Sequence, residues 1–131
     1  MTEKELWQFA REAAENAYAP YSHFHVGAAL LCADGAVYTG VNIENASYGA
    51  TVCAERTALF HAVKEGRRDF AMLAVAAVDA EGKEMSAPPC GICRQTLSEF
   101  CGRDSIIVYG TRDDLHTVTL GELLPYAFAL E

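Results

Sequence analysis

The run Met72-Leu-Ala-Val-Ala-Ala-Val78 is apolar at every position. A strand with such continuous apolar character is typical of a sheet that is covered by helices on both faces. Ile106-Ile-Val-Tyr109 is a second run of this kind. Together the two runs predict buried strands of an α/β fold, with the sheet between helical layers.

Helical patterns flank both of these strands. The sequence Cys53-Ala-Glu-Arg-Thr-Ala-Leu-Phe-His-Ala-Val predicts a helix to about Glu65, and Gly66 suits the position just past its C-terminus. A further helix is predicted from about Cys90 to Phe100, ended by Gly102. Because both helices begin where a cysteine motif stands, both motifs are expected at the sheet edge where α/β proteins collect ligands.

The N-terminal part of the chain predicts one helix and one hairpin. Thr2 and Glu5 form a capping-box pattern, and apolar residues at helical spacing continue to about Asn16. Asp34-Gly35 lies between two apolar runs and predicts a tight hairpin turn. The remaining assignments are strands at about 24–33 and 36–43, loops at 44–52 and 79–89, no regular element over 111–119, and a short helix at 120–124. The order helix, strand, strand, helix, strand, helix, strand predicts a mixed sheet.

Length and charge restrict the class of protein. With 131 residues, the chain is expected to form one domain, 1–131. Ten Lys and Arg residues stand against eighteen Asp and Glu residues, for a net charge of −8, which disfavours a nucleic acid polymer as partner. No apolar run has the length of a membrane span, and the N-terminus lacks a signal-peptide pattern, so we expect no membrane association and a cytoplasmic location.

The cysteines predict a metal site rather than disulfide bonds. The chain has five, an odd number, and three of them stand in Cys53-Ala54-Glu55 and Pro89-Cys90-Gly-Ile-Cys93. Thiolates suit tetrahedral Zn²⁺, and a catalytic zinc takes three protein ligands and leaves the fourth position to water. Glu55 is then the base beside that water. On a regular helix residues i and i+2 point about 200° apart, so Cys53 has to lie at the helix cap, outside the regular turn.

Three thiolates around Zn²⁺ give a net charge of −1, which by itself acidifies bound water poorly. Cys53 and Cys90 lie at predicted helix N-termini, where free N–H groups offset negative charge. Arg56 lies one helical turn after Cys53 and can donate a hydrogen bond to its sulfur atom; Arg94 follows Cys93 and can do the same. We expect Arg56 to be the main group that offsets the third thiolate.

A closed structural site is the alternative. Cys32 or Cys101 can supply a fourth thiolate, and CxxC alone favours such a structural zinc site. If they are not ligands, these two cysteines are small buried apolar residues. The Cys-Ala-Glu at a second helix start and the proline before Cys90 favour catalysis instead.

The chain resembles the small homotetrameric cytidine deaminases along nearly its whole length. The resemblance implies a three-layer α/β/α sandwich with about five strands and one zinc ion per subunit. It also implies hydrolysis of cytidine and deoxycytidine to uridine and deoxyuridine in pyrimidine salvage, with Glu55 as proton shuttle. The matching stretches are Ala19-Pro-Tyr-Ser22, Phe24 with Val26-Gly-Ala-Ala-Leu30, Asn42-Ile-Glu-Asn45, Cys53-Ala-Glu-Arg-Thr-Ala58, Pro89-Cys-Gly-Ile-Cys-Arg-Gln95 and Leu123-Leu-Pro125.

The resemblance also implies the residues that bind a pyrimidine nucleoside. Asn42 and Glu44 are expected to hold the ribose 3′-hydroxyl, since side chains at i and i+2 on a strand end point the same way. Phe24 is expected near the nucleoside, the backbone at Ala54 at the base, and Tyr48 and Phe128 at sites shared between subunits. Two other functions remain open: a blasticidin-type nucleoside deaminase, for which the carboxylate of Glu44 is not expected, and a non-catalytic module that zinc stabilises.

Overall fold

A computed structural model describes residues 1–130 of the chain. The four α-helices are α1 (Glu3–Ala13), α2 (Ala54–Lys64), α3 (Gly91–Phe100) and α4 (Leu120–Leu123). The six strands are β1 (His25–Cys32), β2 (Val37–Val41), β3 (Phe70–Val78), β4 (Glu84–Met85), β5 (Ile106–Thr111) and β6 (Asp114–Thr119). Short 3₁₀ turns occupy Ala14–Asn16 and Tyr48–Ala50. None of the described helices is both long and apolar enough to cross a membrane.

The strands form one mixed sheet in the order β2-β1-β3-β5-β6, and β4 adds two residues beside β3. Only β3 and β5 are parallel, with Leu73 opposite Ile107. All other pairs are antiparallel. The parallel pair consists of the two apolar runs that predicted an α/β fold, and it lies in the middle of the sheet.

Helices cover both faces of the sheet, which confirms the α/β/α arrangement. Side chains alternate along β1 and β3, so that Leu30 and Leu73 point to one face and Ala29 and Ala74 to the other. On the first face they pack with α2 and α3; on the second they pack with α1, where Trp7 is 1% exposed.

Two glycines allow helices to lie directly on the sheet backbone. A Cβ atom on Gly27 would collide with the backbone of α1, including Ala10 O. A Cβ atom on Gly40 would lie 2.7 Å from Ala54 O in the first turn of α2 and closer still to Ala58 N. The Thr57 hydroxyl donates to Val41 O (2.8 Å) at the same contact. The start of α2, which carries a cysteine motif, is therefore fixed against β2 by main-chain contact.

Most predicted elements are found within a few residues of their predicted ends. The capping box is confirmed: Thr2 Oγ1 accepts from Glu5 N (3.1 Å), and Glu5 Oε1 accepts from Thr2 N (2.8 Å). Two strands were missed. β6 occupies 114–119, where no element was predicted, because an exposed edge strand has too few apolar residues to show alternation. β4, inside the predicted loop 79–89, is only two residues long.

Candidate active site

Three cysteine sulfur atoms meet between the N-termini of α2 and α3. Cys53 Sγ lies 3.7 Å from Cys90 Sγ, which lies 3.5 Å from Cys93 Sγ, and all three lie within 4.8 Å of one another. Ligand sulfurs of a tetrahedral zinc ion with bonds of about 2.3 Å are about 3.8 Å apart. The three thiols therefore fit one Zn²⁺ ion without rearrangement.

The other two cysteines lie outside this cluster. Cys32 is 3% exposed and belongs to the core between the sheet and α2, and Cys101 packs against the same core. Among the described residues, the cluster of groups able to hold a metal ion contains only Cys53, Cys90 and Cys93. The alternative of a closed four-cysteine site is therefore wrong, and the site offers three protein ligands.

The backbone at Cys53 explains how Glu55 reaches the same place. Cys53 is the N-cap residue of α2 with extended dihedral angles (φ −78°, ψ 156°), so it stands outside the regular helix as expected. Glu55 lies in the first turn, is 4% exposed, and lines one cavity with Cys53 and Cys90. Burial, and then the nearby Cys53 charge, raise the pKa of Glu55 to about 7. A carboxyl group with such a pKa can accept and release a proton near neutral pH.

Hydrogen bonds at the cluster favour a thiolate at Cys53. Arg56 Nη2 donates to Cys53 Sγ (3.4 Å). A hydrogen bond from Cys93, together with those from Arg56 and Cys90, lowers the pKa of Cys53 to about 5, although burial acts in the opposite direction. Neither α2 nor α3 has a side-chain cap, so no side-chain acceptor competes with sulfur for the N–H groups of the first turn.

The expectation for Arg94 is wrong. Its Nε donates to Pro89 O (2.7 Å) and its Nη1 donates to Leu123 O (2.9 Å). The guanidinium group is thus used to tie the residue before Cys90 and the end of α4 to α3. Sequence position alone placed Arg94 beside the cysteines, but its side chain leaves the helix in another direction.

Replacement of Arg56 by alanine should lower the catalytic rate and zinc retention together, because Arg56 donates a guanidinium hydrogen bond to Cys53 Sγ. A loss of about ten- to a hundredfold in zinc affinity is expected. Zinc content after dialysis against a graded chelator series, with Arg56→Lys as the charge-retaining control, measures it. Unchanged metal content and unchanged rate in Arg56→Ala would refute this role.

A cavity of about 270 Å³ opens above Glu55 and the sulfur atoms. Its lining includes four of the residues that the sequence assigned to substrate: Phe24, Asn42, Glu44 and Ala54. The rest of the lining is mostly apolar and was not predicted; it consists of Ser22, Val26, Thr51, Val52, Val75, Ala87 and Pro88. Pro88-Pro89 directly before Cys90 was the available signal for Pro88, since proline fixes the backbone next to the predicted ligand.

Asn42 and Glu44 are held by the start of β1 and by the chain segment before it. Asn42 Oδ1 accepts from Val26 N (2.9 Å), and its Nδ2 donates to Phe24 O (2.8 Å). Glu44 Oε1 accepts from Tyr21 N (2.9 Å) and Ser22 N (3.2 Å), and its Oε2 accepts from the Ser22 hydroxyl. These bonds, chiefly that from Ser22, lower the pKa of Glu44. Each side chain has remaining hydrogen-bonding capacity toward the cavity.

Tyr48 and Phe128 do not line this cavity. Tyr48 is 86% exposed on its 3₁₀ turn, and Phe128 is 67% exposed on the C-terminal tail. Gln95 Nε2 donates to Phe128 O (2.9 Å), which ties the tail to α3. The two aromatic side chains thus stand on the outer surface of the chain.

Comparison with known proteins agrees with this site. Residues 1–111 match the family model of the cytidine and deoxycytidylate deaminase zinc-binding region. The chain is 51% identical over 132 residues to a cytidine deaminase of Halalkalibacterium halodurans, covering 100% of this chain and 97% of the relative. The crystal structure of a cytidine deaminase from Burkholderia pseudomallei superposes with a TM-score of 0.89 at 45% identity, covering 98% and 100% of the two chains.

A blasticidin-S deaminase of Bacillus cereus is also similar, at a lower identity of 32% over 128 residues, covering 95% of this chain and 90% of the relative. The three-thiol cluster, the buried glutamate beside it and the matches over nearly the whole chain lead to the same assignment: the chain belongs to the zinc-binding cytidine and deoxycytidylate deaminase family.

Proposed function

We propose that this protein hydrolyses cytidine and deoxycytidine to uridine and deoxyuridine with release of ammonia, in pyrimidine salvage. One observation carries the proposal: the buried Glu55 lines a largely apolar cavity together with Cys53 and Cys90, two members of the three-sulfur cluster. The names of the most similar relatives, cytidine deaminases, support the same reaction. We take the whole chain, 1–131, as one deaminase domain.

The three cysteines and Glu55 have different roles in the proposed reaction: the cysteines bind the metal ion and Glu55 transfers protons. Cys53, Cys90 and Cys93 would hold a Zn²⁺ ion, which when bound would lower the pKa of a water molecule and so supply a nucleophile for C4 of cytosine. Glu55 would accept a proton from the attacking water and deliver it to N3 of the base. It would then take the proton of the new C4 hydroxyl and pass it to the amino group, so that ammonia leaves as the C4 carbonyl forms. Burial keeps bulk water away from the carboxyl group during these transfers.

The rim of the cavity favours a free nucleoside. Asn42 and Glu44 offer an amide and a carboxylate to a sugar hydroxyl, and Phe24 offers an aromatic surface. Among the described residues, the lining of this cavity includes no Lys or Arg that would pair with a phosphate group. The carboxylate of Glu44 would also repel a nucleotide phosphate. The substrate is therefore a nucleoside and not a nucleotide or a nucleic acid polymer.

Replacement of Ser22 by alanine should raise KM for cytidine about three- to tenfold with little change in kcat, because Glu44 loses the hydroxyl that orients it. Steady-state kinetics with cytidine and 3′-deoxycytidine measure the effect, and the increase should be confined to the substrate with the 3′-hydroxyl. Ser47→Ala, in the exposed loop nearby, is the control. An equal KM change with both substrates would show that Ser22 does not act through that hydroxyl.

We further propose a cytoplasmic homotetramer with active sites shared between subunits. The exposed aromatic side chains of Tyr48 and Phe128 support shared sites, because aromatic residues are enriched in the buried centre of protein interfaces. All five cysteines are free thiols, which supports a reducing compartment. Light scattering should give the mass of four chains of 14.2 kDa each.

The experiment that tests the function is the loss of cytidine absorbance on incubation with purified, zinc-loaded protein. Blasticidin S as a parallel substrate tests the alternative that the weaker similarity suggests. Cobalt substitution tests the non-catalytic alternative, since the visible spectrum of Co²⁺ changes on nucleoside addition only where a metal position is open. Absence of turnover together with an unresponsive spectrum would refute the proposed function.

A further inference from the structure

A single carboxylate joins three parts of the fold on the α1 side of the sheet. Glu84 in β4 has a side chain that is only 16% exposed. Arg112, in the turn between β5 and β6, donates its backbone N–H to Oε1 (3.0 Å) and its Nε to Oε2 (2.7 Å), and its Nη2 lies 2.6 Å from Oε2. From α1, Arg11 Nε lies 3.6 Å from the same oxygen.

The two arginines are themselves held in place. Arg11 Nε is buried and has no hydrogen-bond partner, and it faces Glu84 Oε2, while Nη1 of the same guanidinium group donates to Glu15 Oε1. The Arg112 guanidinium lies over the ring of Trp7, 5.8 Å from its centre, and Trp7 Nε1 donates to Gly110 O (3.1 Å) just before the turn. The guanidinium group of Arg112 thus holds one oxygen of the Glu84 carboxylate and its backbone N–H holds the other, which fixes the orientation of the carboxylate.

Glu84 lies close to the active-site cavity along the chain. After β4 the chain leaves regular structure at Ser86, contributes Ala87 and Pro88 to the cavity lining, and reaches Cys90. This wall, Ala87 and Pro88, is fixed at its far end by the Arg94 bond to Pro89 O. At its near end the anchors are the short β4 ladder to β3 and the Glu84–Arg112 pair.

We propose that Glu84 and Arg112 are positioning residues that fix the cavity wall of Ala87 and Pro88 for nucleoside binding. The kinetic part of this inference rests on the proposed function. Without the pair, the wall occupies its binding-competent position for only a fraction of the time, and apparent affinity falls by that fraction. Once substrate is bound the wall is in place, so the proton transfers at Glu55 are unchanged. The hydrogen bond from Arg94 to Pro89 O still holds the residue before Cys90 in place, so zinc binding is unchanged as well.

The test uses the zinc-loaded protein with Glu84→Gln, Arg112→Gln and the double variant. Each single variant should raise KM for cytidine about tenfold, with kcat within about twofold and zinc content unchanged. The double variant should be no worse than the more affected single variant, because both remove one interaction. Glu15→Gln is the matched control, since Glu15 is the exposed second partner of Arg11 at 2.7 Å.

Hydrogen exchange of the peptide covering 85–90 provides a reading that does not depend on catalysis. Exchange there should accelerate in the Glu84 and Arg112 variants and not in Glu15→Gln, whether or not the protein deaminates cytidine. Lower thermal stability with KM and exchange unchanged would overturn the proposal and leave only a structural ion pair. Equal losses in kcat and kcat/KM would overturn it too, because they would place the pair in the chemical step. If the wild-type protein has no activity, the proposed function fails. The exchange result would still show whether Glu84 and Arg112 fix the wall of Ala87 and Pro88.

Discussion

Glu55→Gln protein is expected to retain its zinc and to lose at least the ~10²–10⁴-fold in kcat that is typical of general acid–base catalysis. Glutamine is nearly isosteric with glutamate, so the 4% exposed position at the start of α2 stays filled. Its amide cannot accept the proton of the attacking water or pass one to N3 and the amino group. The loss should appear in kcat, since Asn42 and Glu44, which we propose to contact the nucleoside, are unchanged.

Steady-state cytidine kinetics on protein of measured zinc content check this result. Glu65→Gln provides the same chemical change at the C-terminal end of the same helix and should behave as wild type. A Glu55→Gln variant with near wild-type kcat would remove Glu55 from the mechanism and return the function to the non-catalytic alternative.

The second large effect is expected from Cys93→Ala. Cys93 is fully buried in the first turn of α3, and the site has three thiol ligands among the described residues. Removing one leaves two thiolates, and zinc affinity should fall by more than about 10²-fold, beyond what loss of a neighbouring hydrogen bond produces. Because zinc joins the starts of α2 and α3, the unfolding temperature should fall as well and should no longer respond to chelator.

Zinc content by atomic absorption and thermal unfolding with and without chelator measure this effect. Cys101→Ala is the matched control, because Cys101 caps the other end of α3 and lies outside the sulfur cluster. Retention of stoichiometric zinc by Cys93→Ala would show that the ion is held differently from the cluster described above.

The central fold and the metal ligands were predictable because their signals are local. The strands around Leu73 and Ile107 are buried on both faces, so their apolar runs are continuous, and the cysteine motifs stand where helices begin. The edge strand β6 has exposed residues at 114, 116 and 117, so its pairing with β5 leaves little trace in the sequence. Contacts between residues that are distant in the sequence were harder still to predict. Nothing local in the sequence indicates that Arg94 bonds to Leu123 O or that Glu84 pairs with Arg112 across 28 residues.

Among the site residues, too, those with a local signal in the sequence were predicted and those that depend on long-range contacts were not. Cys53 was expected at the helix cap because its chemistry with Glu55 required it, and the extended backbone there agrees. Ser22 was not singled out, because a serine in a turn has many uses and only its contact with Glu44 shows this one. Tyr48 and Phe128 remain predictions for shared sites, since one chain places both on its surface.

The contact of Gly40 with the start of α2 affects how freely this protein can change during evolution. The helix start that carries Cys53 and Glu55 is located by main chain against main chain, and the length of such a contact does not depend on side-chain identity. Exposed polar residues of α2, such as Lys64, can therefore be exchanged without displacing Glu55. Gly40 itself has no such freedom, because any side chain would displace α2, with Cys53 and Glu55 at its start, from the sheet. Mutational tolerance at this site should thus be high on the helix surface and very low at one glycine of the neighbouring strand.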